Sequence, residues 1–124
     1  ALRDITHFNA QDLSNLAWAC ATLGFEDRQL MAAISASAVA KMSEFSSQNL
    51  SNTAWAFATL DCLDKPLQEE ISKEVLDRIR KFQAGDVDVP SDAFATDVTG
   101  VVWAFNFAGM LDSGFYGQVR DVIL

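Results

Sequence analysis

Two stretches of this chain are near copies of each other. Residues 8–23 read FNAQDLSNLAWACATL, residues 45–60 read FSSQNLSNTAWAFATL, and 11 of the 16 positions are identical at an offset of 37. The offset continues past the motif, pairing Leu30 with Leu67, Ile34 with Ile71, Ala38 with Val75, Met42 with Ile79 and Phe45 with Phe82. The repeating object is therefore a whole structural unit, and a period of this length is that of a stacked array in which each unit buries its apolar side on the next.

A third, weaker copy reads VTGVVWAFNFA, with Trp103 lying 48 residues after Trp55, so 11 residues are inserted there. They fall between Phe82 and Val98 in AGDVDVPSDAF, where Gly85, Pro90 and several acids mark a loop. Such a loop is either neutral decoration or a contact arm. Residues 1–8 align with the tail of a preceding second helix, residues 9–45 form repeat 1 and residues 46–82 repeat 2. Residues 83–97 hold the insertion and a helix start, and residues 98–124 an incomplete repeat 3. A chain that opens and closes inside a repeat is expected to be a window on a longer array.

Within each unit the apolar spacing is helical. Leu13, Ala17 and Ala21 recur every fourth residue, as do Leu67, Ile71, Val75 and Ile79. The pattern divides each unit into a short first helix and a longer second one. Asn9 and Ser46 occupy N-cap positions of first helices, and Asp27, Asp64 and Asp112 those of second helices, with Pro66 in a first turn where its missing N–H costs little. The fold class that follows is all-α, an α-solenoid of antiparallel helix pairs with about three repeats of 37 residues. Trp18, Trp55 and Trp103 are assigned as packing keys among small residues, with stacking platforms as the alternative. In the core, Trp55→Ala would cost about 3–5 kcal/mol. Asn15 and Asn52 are expected to bond backbone groups of an adjacent unit.

Seventeen acids against nine bases give a formal charge of -8, which disfavours nucleic acid or an anionic membrane as partner. Every apolar run is interrupted before the roughly 18 residues a bilayer span needs, so the chain reads as soluble or peripheral. Cys20 and Cys62 lack CxxC spacing and read as free thiols. His7 is the sole histidine, and with no Cys or carboxylate cluster at ligand spacing no metal is expected. A glycine-rich phosphate loop and a Ser/His/Asp set are both missing, so no catalytic residue or cofactor is assigned.

The run F-x-x-Q-x-L-S-N-x-A-W-A-x-A-T-L resembles the helical repeats of the octotricopeptide class and the related arrays of FAST-kinase-like and RAP-domain proteins. The match is strong in the first two copies. In the third, Thr96, Val98, Thr99, Gly100 and Val102 replace motif residues and only Trp103 and Ala104 persist. The resemblance implies an α-solenoid in an organelle, a plastid ahead of a mitochondrion, and a usual ligand of single-stranded RNA. It implies no catalytic residue.

In helical-repeat RNA readers the variable side chains of one helix face the nucleotides. Here the substituted positions of the first helices line one face: Asn9, Asp12, Leu16 and Cys20 in repeat 1, and Ser46, Asn49, Thr53 and Phe57 in repeat 2. Asp97 joins them in repeat 3. A constant inner side with a variable outer side suits an adaptable binding surface, and is equally what a merely exposed surface drifts into. No first helix carries Lys or Arg, so this face repels phosphate. Arg78, Arg80 and Lys81 form the one basic cluster, either offsetting a helix C-terminus or contacting phosphate. The charges therefore point to a noncatalytic scaffold or linker subunit that binds protein partners in a multi-subunit organellar assembly, with single-stranded RNA as the alternative partner.

Overall fold

The computed structural model describes residues 5–85 and 91–123. They form six α-helices, α1 (Ala10–Leu23), α2 (Arg28–Ala40), α3 (Ser47–Thr59), α4 (Lys65–Gln83), α5 (Ser91–Phe107) and α6 (Ser113–Ile123), with a 3₁₀ turn at Met42–Glu44. The fold is all-α. The first helices α1, α3 and α5 lie side by side with α3 in the middle, and α4 in turn lies between α2 and α6, so two rows of helices are stacked unit by unit.

The boundaries follow from capping chemistry. Asn9 and Ser46 each accept from the backbone N–H three residues on, at 2.8 and 3.0 Å, and Asp12 and Asn49 return the bond to the cap N–H, so both first helices begin in a complete capping box. Asp27 and Asp64 cap α2 and α4 through the N–H groups of Leu30 and Leu67. Every first helix ends in the same way. Gly24, Asp61 and Gly109 take left-handed conformations at φ 66°, 54° and 72°. The N–H of the following residue returns 2.8–2.9 Å to the carbonyl of Cys20, Phe57 or Phe105, which satisfies carbonyls the helix leaves open.

A second closure recurs from unit to unit. Lys41 Nζ donates to the carbonyls of Thr6 (2.8 Å) and Phe8 (2.7 Å). Arg78, its equivalent 37 residues on, donates to the carbonyl of Phe45. In both units a base near the end of the second helix ties down the chain just before the first helix begins.

The core carries the expected stripes. Leu13, Ala17, Ile34, Ala38, Leu50, Ala54, Leu67 and Ile71 are all fully buried, with Val75, Ile79, Phe105, Phe115 and Val119 completing the layer between the two rows. Helix lengths depart from expectation, because only repeat 2 has a longer second helix. α2, rich in Ala and Ser, stops at Ala40 so that the chain can turn into α3. α4 runs five residues beyond the position equivalent to Lys41, supported by i,i+3 and i,i+4 ion pairs Lys73–Glu70, Arg78–Glu74 and Lys81–Asp77. The inserted residues give it room. Part of the insertion is itself helical: α5 begins at Ser91, and Phe94 is buried and stacks on Phe82 with ring centroids 5.0 Å apart. Residues 1–4 and 86–90, including Pro90, lie outside the described residues, as does Leu124.

Candidate binding face

The helical wheel of α1 places Leu13, Ala17 and Ala21 toward α2. On the opposite side, Gln11, Asn15, Trp18 and Thr22 follow one another at i, i+4, i+7 and i+11, and all four are exposed. In α3 the same face reads Gln48, Asn52, Trp55 and Thr59, and in α5 Thr96, Gly100, Trp103 and Phe107. Thus in repeats 1 and 2 the outer side of the first helices is kept as constant as the inner stripe of Leu13, Ala17 and Ala21. Trp18, Trp55 and Trp103 are 46%, 37% and 56% exposed, which corrects their assignment as core packing keys. The small residues that neighbour each indole in sequence, such as Ala17, Ala54 and Ala104, are the ones that turn inward, and they let the rows approach closely.

The variable face lies elsewhere than expected. Asn49, Thr53 and Phe57 are buried where α3 meets α1, and their counterparts Val101 and Phe105 are buried where α5 meets α3. Asn49 Nδ2 donates to Gln11 Oε1 at 3.2 Å, and Ser14 Oγ donates to the Asn49 carbonyl at 3.4 Å. These positions vary because each seam between units has its own pairing to satisfy. Cys20 is also buried, Leu16 and Asp97 are half-buried, and Asn9, Asp12 and Ser46 are exposed at helix starts. The variable set is therefore split between capping and inter-unit packing, and does not form one outward surface.

The second seam is closer than the first at one level. A Cβ added to Gly100 would run into Ser51 Oγ and lie 3.4 Å from Ser51 Cβ, so glycine stands where Asn15 and Asn52 stand in the other units because α3 and α5 nearly touch there. The amides themselves do not bridge units as expected. Asn15 Oδ1 accepts from Gln11 Nε2 of its own helix at 2.8 Å, one turn away on the outer face, which leaves the Asn15 N–H groups directed to solvent.

The outer row carries no cation. Helices α1, α3 and α5 contain no Lys or Arg, and none has a basic residue in its last turn, where the helix dipole is negative. The turns that follow carry Glu26 and Asp27, then Asp61 and Asp64, then Asp112. The basic cluster belongs to the other row and is dispersed. Arg78 is held by the Phe45 carbonyl and by Glu74 at 3.7 Å, Lys81 pairs with Asp77 at 3.1 Å, and Arg80 is exposed. Arg80 and Lys81 sit in the last turn of α4.

Burial raises the Asp97 carboxyl above its ordinary range. The Cys62 thiol is pushed up to about 11, mainly by burial, with Arg28 opposing and Asp64, Asp61 and Glu26 adding. Cys20 is raised by burial and then by Asp27, so both free thiols stay protonated at neutral pH and are poor nucleophiles. Among the described residues no group of three His, Cys, Asp or Glu is placed to hold a metal, and no helix is long and apolar enough to cross a membrane. An open groove of about 470 Å³ separates α4 from the start of α6, lined by Lys65, Gln68, Glu69, Ser72, Met110 and Asp112. At the equivalent seam between α2 and α4, Ser35 Oγ bonds Asp64 at 2.8 Å, whereas Ser72 turns back to the Gln68 carbonyl of its own helix. No protein-family model, curated protein or solved structure matches the chain.

Sequence reasoning missed the orientation of the outer face, although a signal for it was present. Gln, Asn and Thr flank each Trp at helical spacing in repeats 1 and 2, and a stripe of that polarity is more at home in water than in a core.

Proposed function

We propose that this chain is a noncatalytic helical-repeat module that binds protein partners as a scaffold or linker of a larger assembly. The observation that carries the reading is the exposed row of Trp18, Trp55 and Trp103. Three large aromatic side chains at one register on three adjacent helices, bordered by amides and free of cations, have the composition of an interface core with a polar rim. An aromatic row of this kind stabilises association by burying its indoles while the amides pair with the partner's backbone. An organellar setting, with a plastid ahead of a mitochondrion, is supported by the octotricopeptide resemblance alone.

Single-stranded RNA is the second reading, and the same indoles favour it, since bases stack on exposed aromatic rings. Charge favours the protein reading over it, because a strand laid on this row meets helix C-termini and acids instead of the bases that neutralise phosphate.

The test is co-purification of the chain from its native source with and without nuclease. Recovery of the same stoichiometric protein complex after nuclease treatment is the expected result. Binding of the purified chain to single-stranded RNA with a steep loss of affinity as salt rises would overturn it.

A further inference from the structure

We propose that the outer row of first helices binds an extended cationic peptide segment, its Lys or Arg side chains laid against Trp18, Trp55 and Trp103 and its backbone held by the flanking amides. The inference rests on the protein-binding reading above and names the chemistry of the partner.

Four features converge on that occupant. The indoles are open to solvent on adjacent helices, and an indole face is the strongest aromatic site for a guanidinium or ammonium group. In repeat 3 the site is broader, because Phe107 stacks on Trp103 with centroids 5.6 Å apart and planes 14° from parallel. Gln11, Asn15, Gln48 and Asn52 lie on the same face. Gln48 and Asn52 each carry a donor and an acceptor, the complement of a peptide group, and Gln11 and Asn15, bonded to each other and, through Gln11, to Asn49, keep N–H donors to spare.

The field at this end of the first helices is net negative, with acids outnumbering the bases Arg28 and Lys65 that open α2 and α4. The indoles sit about one turn from the negative ends of α1, α3 and α5, those last turns hold no base, and Glu26, Asp61 and Asp112 follow in the turns beyond. A cation is attracted there and a phosphate or carboxylate repelled, in keeping with the chain's charge of -8.

Spacing adds a register. Packed helices stand about 8–10 Å apart. A polyproline-II strand advances about 9.3 Å in three residues and returns every third side chain to the same side. A strand crossing the three helices would therefore present a base to each indole at positions i, i+3 and i+6.

The three indoles are all of the chain's tryptophans, so intrinsic fluorescence reads the site directly. The experiment titrates the full 124-residue chain with a nonapeptide of sequence Arg-Ser-Gly repeated three times. Parallel arms use the same composition with the three Arg contiguous, the Glu-Ser-Gly counterpart, and a uridine dodecamer. The expected result is saturable binding of the first peptide, at least tenfold weaker binding of the contiguous-Arg peptide, no detectable binding of the Glu peptide, and at least tenfold loss for Trp55→Ala with the helical circular dichroism retained. Trp18→Ala serves as the second variant, with the same loss expected. Equal affinity of Trp55→Ala and the native chain overturns the proposal, as does binding of the Glu peptide as tight as that of the Arg peptide. If neither Arg peptide nor RNA binds, the cationic-partner inference falls while the nuclease-resistant complex still decides the scaffold reading. If the uridine dodecamer binds more tightly than the peptides, both fall.

Discussion

Replacing Gly100 by Ala has an effect whose sign depends on residue 51. Gly100 lies in the interior of α5, and Ala in place of Gly in a helix interior is favourable by about 1 kcal/mol. Against this, the new Cβ runs into Ser51 Oγ of α3. The hydroxyl must rotate away or the helices must part, at a cost of about 1–3 kcal/mol for an overpacked contact. Gly100→Ala alone should therefore be neutral to destabilising, by up to about 2 kcal/mol. In a Ser51→Ala background the hydroxyl is gone, and the remaining Cβ lies 3.4 Å away, at ordinary contact distance. There Gly100→Ala should stabilise by about 1 kcal/mol, which for a domain of this size raises the melting temperature by roughly 3–5 °C. The assay is a double-mutant cycle by urea denaturation followed at 222 nm, with a coupling of about 1–3 kcal/mol between the two sites. If Gly100→Ala stabilises equally in both backgrounds, α3 and α5 do not approach at that level and the account of Gly100 is wrong.

Four further outcomes follow from the same geometry. Thr53 Oγ1 is buried without a hydrogen-bond partner, and the other units carry Leu16 and Val101 there, so Thr53→Val should stabilise by about 1–2 kcal/mol in urea melts; a loss would mean the hydroxyl is bonded. Because Trp55 is more than a third exposed, Trp55→Ala should cost only about 1–2 kcal/mol, and a loss above about 3 kcal/mol would return the indole to the core. Asp61 holds the left-handed position that Gly24 and Gly109 hold in the other units, so Asp61→Gly should raise the melting temperature, with a gain of about 0.5–1 kcal/mol. The Cys62 thiol has a folded-state pKa raised from 9.0 to about 11. Its contribution is complete below pH 9 and is lost as pH rises toward 11, where the unfolded chain gives up the proton first, so the stability gap between the native chain and Cys62→Ala should narrow across that window in melts at graded pH.

Capping and apolar spacing were legible because they are local. Asn9, Ser46, Asp27 and Asp64 each bond an N–H three residues away, and the stripes of α1 and α4 need only their own periodicity to be recognised. The orientation of the constant face was not legible from repetition alone. A repeat reports that a residue meets the same surroundings in every unit, and solvent is as uniform a surrounding as a core. The indole's apolar character drew Trp18, Trp55 and Trp103 inward on paper, while the exposed Gln11 and Gln48 beside them told of water. Conversely, Asn49, Thr53 and Phe57 looked free to vary when all three are buried, Asn49 against Gln11 one unit away. Contacts between units join residues about 35 positions apart, and no pattern within a single unit shows them.

The bonds from Lys41 to the Phe8 carbonyl and from Arg78 to the Phe45 carbonyl each span 33 residues and run from the end of a repeat's second helix to the residue just before its first helix-cap. Each helix pair is thereby closed across its open end, as a chain link is welded shut. Extra sequence placed at the join between links opens neither weld. The added sequence after α4 falls at such a join, so the stack takes in a longer second helix there while the register of its rows is kept.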